Sequence, residues 1–290
     1  MSGLRLWAAE KVLLALGVIA LARTALGWFV TLPREDMLFF CLVMMGQQLL
    51  FYGLPALLLK GEKNEPAPVR ERLSVKNALG IVGAAALQQL ALTLLTLILG
   101  QWLAFMGLSV QTSHMPLPTD LREGLLALAA LALAPALCEE SLFRGRLDEG
   151  LQTGFSPRAS LFLTAGLFAL MHGQLAALPA HLAAGLMLTV LCRRFGLKAS
   201  VLYHFVFNGV SLALGLWEKA ALWQEGLMAH PSLLMALTGL LLLLGAVCGW
   251  ALAKGLTLKP GEKAPLRCWA WAGGVTLLLL PAYLIELLPR

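Results

Sequence analysis

Residues 125–147 read LLALAALALAPALCEESLFRGRL, and this stretch decides the class of fold. Its first part, Leu125–Leu137, carries no charged side chain, and two adjacent carboxylates, Glu139 and Glu140, follow it. About 20 apolar residues are enough for a helix to cross the hydrocarbon core of a bilayer. The stretch therefore predicts a membrane-spanning helix. Its glutamates are ionisable groups at membrane depth, where such groups are rare and typical of functional sites.

The rest of the chain has the same character. Of its 290 residues, 59% are hydrophobic and 13% are charged, whereas soluble domains carry about 25% charged residues. Backbone groups in lipid must be paired internally, so helices are expected throughout, and the period-two alternation of a membrane barrel is absent. We predict an all-α fold, a polytopic transmembrane helical bundle of eight or nine spans. The spans are placed at residues 12–32, 37–59, 77–108, 125–147, 158–178, 180–194, 199–216, 231–253 and 268–287.

The loops between these segments alternate in charge. Most of the 22 Lys and Arg residues fall in every second loop, in register across the nine spans. The positive-inside rule then places the N-terminus in the cytoplasm and the C-terminus outside. The same loops account for the formal net charge of +6, so nucleic acid is not expected as a partner. The richness in Ala, Leu and Gly favours a GC-rich bacterium, and we expect a multi-pass protein of a bacterial inner membrane. The sequence offers no partner for Arg23, near the middle of the first span.

The chain is interpreted as one membrane domain with three parts. A charged, Pro-containing loop at 60–76 separates the leading spans from the rest. We expect about three N-terminal transmembrane spans within 1–119, a functional core of spans four to seven at 120–216, and C-terminal spans at 217–290. The five cysteines lie in or beside apolar segments without a CxxC pair. They are expected to be small buried hydrophobic residues, so neither a disulfide framework nor a thiolate metal site is predicted.

The two glutamates of the fourth span face different ways. Glu140 and Arg144 are four residues apart, so they share a helix face and can pair. Glu139 is rotated by about 100° from Glu140, so the two carboxylates cannot have the same task. We expect the arginine to hold one carboxylate and Glu139 to face a different cavity. The alternative is a polar helix end that begins to leave the membrane.

A histidine of the fifth span is level with Glu139. Between spans four and five, Gly154 can end one helix, Ser156 can cap the next, and Pro157 suits its first position. Glu139 is about 16 residues before this turn and His172 about 16 after it, so in an antiparallel hairpin both lie about 24 Å from the turn. A lone histidine on an apolar helix is usually a satisfied core residue, but the matched height favours a shared site.

The seventh span contributes His204 and Asn208, which are four residues apart and share a face. They lie about 8 and 12 residues beyond Gly196, in the cytoplasmic half of the span. The alternative is a polar interhelical clamp, since His and Asn also hydrogen-bond between membrane helices. His181, in the short sixth span, is expected to be structural. Four glutamines are expected to bond neighbouring helices rather than line a water path: Gln47, Gln48, Gln88 and Gln89.

Three motifs in these spans resemble those of the CPBP family of intramembrane proteases, which includes CAAX-processing endopeptidases and bacteriocin-processing or immunity proteins. The family motifs EExxxR, FxxxH and HxxxN/D stand here, in that order, as Glu139-Glu140-xxx-Arg144, Phe168-xxx-His172 and His204-xxx-Asn208. Each motif lies inside a predicted span. The resemblance covers the core at 120–216, and the first three and last two spans lie outside it.

The resemblance implies hydrolysis of a peptide bond by a water that a glutamate activates. Glu139 would be the general base, and His172 would help to bind and polarise the water. His204 and Asn208 would donate hydrogen bonds to the developing oxyanion. The supporting residues would be Glu140, Arg144 and Phe168.

A metal site is the alternative use of the same side chains. Glu139, His172 and His204 form a set of three zinc ligands that leaves one position free for water. The helical zinc signature HExxH is absent, and the resemblance to the Rce-type CAAX proteases implies a metal-free site. We therefore expect no cofactor, with zinc as the alternative.

The function expected is that of an intramembrane endopeptidase, a hydrolase that cleaves near the membrane in a membrane-anchored or lipidated protein or peptide tail. The tail would be of the CAAX type, a bacteriocin or pheromone precursor, or a C-terminal sorting tail, and the partners would be this substrate and the lipid bilayer. One alternative is a non-catalytic membrane immunity or scaffold protein. The presence of the expected residue at every proposed catalytic position argues against it. A proton-coupled transporter is another, but the inverted repeats typical of transporters are absent.

Overall fold

A computed structural model of the chain describes residues 8–29, 36–59, 70–108, 116–217, 220–254, 256 and 264–286. The regular structure in these ranges is helical, which confirms the predicted all-α class. When π-helical turns are counted with the helices that contain them, the described residues form ten helices. They are α1 Ala8–Phe29, α2 Met37–Leu58, α3 Val75–Phe105, α4 Leu121–Leu151, α5 Pro157–Leu170, α6 Leu178–Phe195, α7 Leu197–Leu216, α8 Ala220–Met228, α9 Pro231–Ala253 and α10 Leu266–Glu286.

Five of these helices are long and apolar enough to cross a membrane: α2, α3, α4, α7 and α9. The helix α5 and the segment Leu266–Pro281 of α10 are apolar but shorter. A helix stands at each of the nine predicted positions, yet length and composition support five spans and do not show the predicted eight or nine. The helix α8 lies between the predicted spans 199–216 and 231–253, where no span is predicted.

Polar side chains fix where several helices begin. The side chain of Ser156 accepts a hydrogen bond from the backbone N–H of Ala159, and Pro157 is the first residue of α5, as the sequence predicts. Ser74 and Asp120 cap the first turns of α3 and α4 in the same way. Each cap satisfies a backbone donor that has no partner within its helix.

The helix α5 ends earlier than predicted. The span expected at 158–178 stops at Leu170, and His172 lies in the turn that follows, not inside a helix. Gly173 has φ of +67°, a left-handed conformation that terminates helices and that favours glycine. The prediction that every motif lies within a span is therefore wrong for His172.

Prolines interrupt the regular winding of α2 and α4. Pro55 follows a π-helical turn at Leu49–Gly53, and Pro135 follows another at Ala129–Leu133. Proline lacks an N–H and cannot donate to the carbonyl four residues earlier, so the helix loses a backbone hydrogen bond there. For Pro135 that carbonyl belongs to Leu131, and it is free to accept a hydrogen bond from another helix.

Alternate loops of the chain meet at one end of the bundle. Arg194 binds both carboxylate oxygens of Glu71 at 2.9 Å and donates to the carbonyl of Leu252 at 2.5 Å, while Arg70 lies 3.8 Å from Glu149. The hydrogen bonds from Arg194 lower the pKa of the exposed Glu71 carboxyl. These contacts bring the loop before α3 together with the ends of α4, α6 and α9. We call this the basic end, because the predicted basic loops converge on it.

A buried ion pair joins α4, α5 and α6 close to the basic end. Asp148 accepts hydrogen bonds from Nε of Arg193 at 2.9 Å and from Nη2 at 2.5 Å. Thr164 also donates to Asp148, and Arg193 donates to the carbonyl of Pro157. Buried charges are stable only when they are paired and hydrogen-bonded, and here each charge has several partners.

Candidate active site

A cavity of about 530 Å³ lies within the bundle, between α3, α4, α5, α6 and α7. Its wall contains all four residues predicted to be catalytic: Glu139, His172, His204 and Asn208. Phe168 also lines the cavity, whereas Glu140 and Arg144 do not. The three separate motifs of the sequence therefore converge on one space.

Glu139 reaches this cavity with one of its oxygens unpaired. The residue is only 6% exposed, and Oε1 accepts a hydrogen bond of 3.0 Å from Nε2 of Gln48 on α2. Oε2 is buried without a hydrogen-bond partner and lies 4.0 Å from Nε2 of His204. Gln48 was expected to join helices, and it does so by holding this carboxylate in place.

Glu140 lies behind the cavity wall, where it is fully buried. Its Oε1 accepts hydrogen bonds of 2.8 Å from Arg144 and from Nδ1 of His204. The predicted pairing of Glu140 with Arg144 is confirmed. The bond to His204 was not predicted, and it orients the imidazole so that its other nitrogen is directed toward Glu139.

Arg144 connects the glutamate motif to α5 and α6. It donates to the carbonyl of Gly185 at 3.0 Å, and its guanidinium lies 4.4 Å from the centroid of the Phe168 ring. A Cβ atom on Gly185 would stand 3.0 Å from the carbonyl oxygen of Ala165, so the close approach of α5 and α6 favours glycine here. Phe168 thus supports the site as the aromatic face on which the cation rests.

His172 is held in the turn after α5 by its own backbone and by a second histidine. Its Nδ1 lies 2.8 Å from the carbonyl oxygen of Phe168, to which it can only donate, so Nε2 is the acceptor of the neutral ring. The ring stacks on His181 with centroids 3.9 Å apart. His181 lines the cavity too, although a structural role is predicted for it. No helical period relates the two residues, because the turn at Gly173 separates them, and so sequence spacing could not pair them.

Two side chains from helices outside residues 120–216 bond this turn. Arg23 of α1 donates to the carbonyl of Met171 at 2.9 Å and also to the hydroxyl of Tyr52. Tyr283 of α10 accepts from the N–H of Gly173 at 3.2 Å, and its hydroxyl lies 2.9 Å from the carbonyl oxygen of Ala169. Arg23, to which the sequence assigned no partner, is therefore part of the support of the His172 turn.

Asn208 faces the cavity from α7 and is fixed by the irregularity of α4. Its Nδ2 donates to the carbonyl of Leu131 at 3.3 Å. Pro135, four residues after Leu131, cannot donate to this carbonyl, so the proline leaves room for the bond from the asparagine. The second N–H of the amide is left for other partners.

The zinc alternative finds no geometric support in the described part of the chain. Among those residues, no group of three His, Cys, Asp or Glu side chains is arranged to hold a metal ion. The imidazoles of His172 and His204 each use Nδ1 in a hydrogen bond within the protein, which leaves one nitrogen on each. Such bonds are also common for zinc-ligating histidines, so they do not decide the question. The expectation that Glu139 and these two histidines work without a cofactor stays a prediction.

Part of the chain matches a known protein family. Residues 121–210 match the family model described as Type II CAAX prenyl endopeptidase Rce1-like. The match covers about a third of the chain and includes all three motifs, which confirms the resemblance found in the sequence. It also identifies the chain as a multi-pass integral membrane protein. No curated protein and no solved structure matches the chain.

Proposed function

We propose that this chain hydrolyses a peptide bond of a protein substrate, with Glu139 activating the attacking water molecule. The chain carries an Rce1-like type II CAAX prenyl endopeptidase family domain at residues 121–210. The family implies a protease with a protein substrate. The observation that supports the finer assignment is the unpaired Oε2 of Glu139, buried in the wall of a cavity that the other motif residues share.

The space between Glu139 and His204 suits the attacking water. Oε2 of Glu139 and Nε2 of His204 are 4.0 Å apart. A water held by Oε2 of Glu139 at about 2.8 Å is then close to Nε2 of His204, which can donate to the carbonyl oxygen that this water attacks. Glu139 takes a proton from this water as its oxygen bonds to the substrate carbonyl carbon. When the C–N bond breaks, the same proton passes to the amine nitrogen, so one water is consumed for each bond cleaved.

His204 and Asn208 are the proposed donors to the oxyanion. To donate to the oxyanion, His204 must carry a proton on both ring nitrogens, because Nδ1 already donates to Glu140. In that form Nδ1 of His204 donates to Glu140 and Nε2 donates into the cavity. Asn208 has one N–H left after its bond to Leu131. Donors fixed in advance by such bonds stabilise a developing oxyanion without reorganisation.

His172 positions the reacting water from the other side. The bond from Nδ1 to the Phe168 carbonyl leaves Nε2 as an acceptor, which can take a hydrogen bond from the water. Stacking on His181 keeps the ring from rotating away. This is an orienting role, which lets the oxygen lone pair of the water face the substrate.

The substrate and the setting follow from the same proposal. The protein would act in a bacterial inner membrane through eight or nine spans, with its N-terminus and the basic end in the cytoplasm. Its substrate would be a membrane-anchored or lipidated tail, and no cofactor would be required. Residues 120–216 would form the catalytic core, with supporting spans at 1–119 and 217–290.

Cleavage of a panel of membrane-anchored reporter tails by the Glu139→Gln variant tests this function. The amide keeps the size of the carboxylate and still accepts from Gln48, but it cannot take a proton. We expect the cleavage rate to fall at least about 100-fold, the usual contribution of a general base. The control is Glu149→Gln, a half-exposed carboxylate of the basic end that should leave cleavage unchanged. Equal rates for wild type and Glu139→Gln would refute the assignment.

A further inference from the structure

The cavity extends from Glu139 away from the basic end. On α7, its lining residues run from Tyr203, which is fully buried, to Ser211 and Gly215, which are exposed. On α3 they run from Gln89 to Leu97, in the half of the helix that is remote from Ser74. The exposed part of the cavity is therefore at the end opposite the basic loops.

Buried charges close the cavity on its other side. The pair of Glu140 and Arg144 lies between the floor of the cavity and the basic end, and the pair of Asp148 and Arg193 lies beyond it. All four side chains are at most 9% exposed. A polypeptide that entered the cavity from the basic end would have to break these ion pairs. Entry near Ser211 breaks none of them, so it costs less free energy.

One wall of this path carries polar side chains. Gln89, Thr93 and Thr96 lie on one face of α3, at intervals of four and three residues. The opposing wall is apolar and includes Leu131 and Leu212. The stripe covers about 10 Å along the helix axis, which is the length of about three residues of extended peptide.

Gln89 in this stripe has an unsatisfied polar group. It is 8% exposed, its Nε2 donates to Thr93 at 3.1 Å, and its Oε1 has no partner. Exchanging the amide oxygen and nitrogen would leave the other end unpaired instead. The adjacent Gln88 differs, because it accepts from Tyr203 and donates to the carbonyl of Gly245 at 2.9 Å. A buried amide that lacks a partner is costly unless a ligand supplies one.

We propose that an extended polypeptide segment enters the cavity from the end opposite the basic loops and pairs its backbone with the stripe of Gln89, Thr93 and Thr96. This inference rests on the proposed protease function and specifies its substrate. Because the basic end is assigned to the cytoplasm, the substrate is a tail of a protein presented on the non-cytoplasmic face. Gln89 lies outside the matched family domain and acts as a substrate-positioning residue.

Cysteine labelling tests the side of access without reference to cleavage. Ser211→Cys would be treated with a membrane-impermeant maleimide in right-side-out and inside-out vesicles. Arg122→Cys marks the end opposite the basic loops and Arg158→Cys marks the basic end, both at exposed positions. Wild type gives the background, since its cysteines are buried except for the partly buried Cys248. We expect Ser211→Cys to label from the same side as Arg122→Cys. Labelling only from the Arg158 side, or from neither side, would overturn the proposal.

The cleavage kinetics of the Gln89→Leu variant test whether the polar stripe of α3 binds the substrate. Loss of the amide should raise KM for a reporter tail about tenfold and leave kcat within about twofold, since the amide contacts the substrate and not the reacting bond. Gln88→Leu is the matched control, and it should lower the melting temperature without raising KM. An unchanged KM for Gln89→Leu, or a loss of kcat alone, would contradict the proposal that Gln89 binds the substrate. If Ser211→Cys labels as expected but no tail is cleaved, the proposed function fails while the path of access stands.

Discussion

At the residue scale, hydrogen bonds separate two carboxylates that are adjacent in the sequence. Each carboxylate keeps its Oε2 without a hydrogen-bond partner, but Glu139 lines the cavity, whereas Glu140 binds Arg144 and His204 behind it. Helical spacing predicts both the rotation between the glutamates and the pair with Arg144. It could not predict the bond from His204, because that contact joins residues 64 apart on different helices.

Substitution of Glu140 should therefore destabilise the protein, whereas substitution of Glu139 should not. Glu140→Gln leaves the buried Arg144 without its counter-ion, so the free energy of unfolding should fall by about 3–5 kcal/mol. Glu139→Gln removes no ion pair with Arg144 and should leave the melting temperature nearly unchanged. Thermal unfolding of the purified variants in detergent measures both. Similar melting temperatures for the two variants would contradict the separation of roles.

At the element scale, local chemistry explains which helices could be predicted. Ser156 and Pro157 mark the start of α5 in the sequence, and the cap is found there. The end of α5 was predicted too late, because a glycine inside an apolar segment can either continue a helix or end it, and here Gly173 adopts a left-handed φ after Leu170. Likewise, Pro135 in the sequence predicts an irregular helix. It does not predict that Asn208, on another helix, donates to the Leu131 carbonyl.

The Pro135→Ala substitution should raise stability and lower activity. Alanine restores an N–H that can bond the Leu131 carbonyl, so the melting temperature should rise. Asn208 then competes for that carbonyl and loses its orientation, and kcat should fall about tenfold. The measurement is cleavage kinetics in a double-mutant cycle with Asn208→Ala. A further fall in kcat when Pro135→Ala is added to Asn208→Ala would contradict this coupling.

At the scale of the whole molecule, helices outside the family domain complete the site. Gln48 of α2 holds Glu139, while Arg23 of α1 and Tyr283 of α10 hold the turn that carries His172. The composition predicts these helices but not their contacts, because tertiary pairing over more than 90 residues leaves no periodic signal. The alternation of basic loops was more informative, since loops distant in sequence do meet at one end through Arg194.

Tyr283→Phe tests whether the last helix supports catalysis. The variant loses the bonds to the N–H of Gly173 and the carbonyl of Ala169, so the turn and His172 should shift. We expect kcat to fall about tenfold with KM unchanged, since misplacing a catalytic group by an ångström is costly. Trp269→Phe is a control on the same helix, where the ring packs on Phe155 near the basic end. Loss of activity in both variants would indicate general destabilisation instead.

The measurement that tests the central claim most directly is cleavage of a reporter tail by purified protein from which metal has been stripped. The protein would be reconstituted in liposomes, dialysed against a strong chelator and checked for residual zinc. The account predicts full activity for the stripped wild type and none for Glu139→Gln, with or without added zinc. Loss of wild-type activity on stripping, restored by zinc, would contradict it and make Glu139 and the two histidines metal ligands.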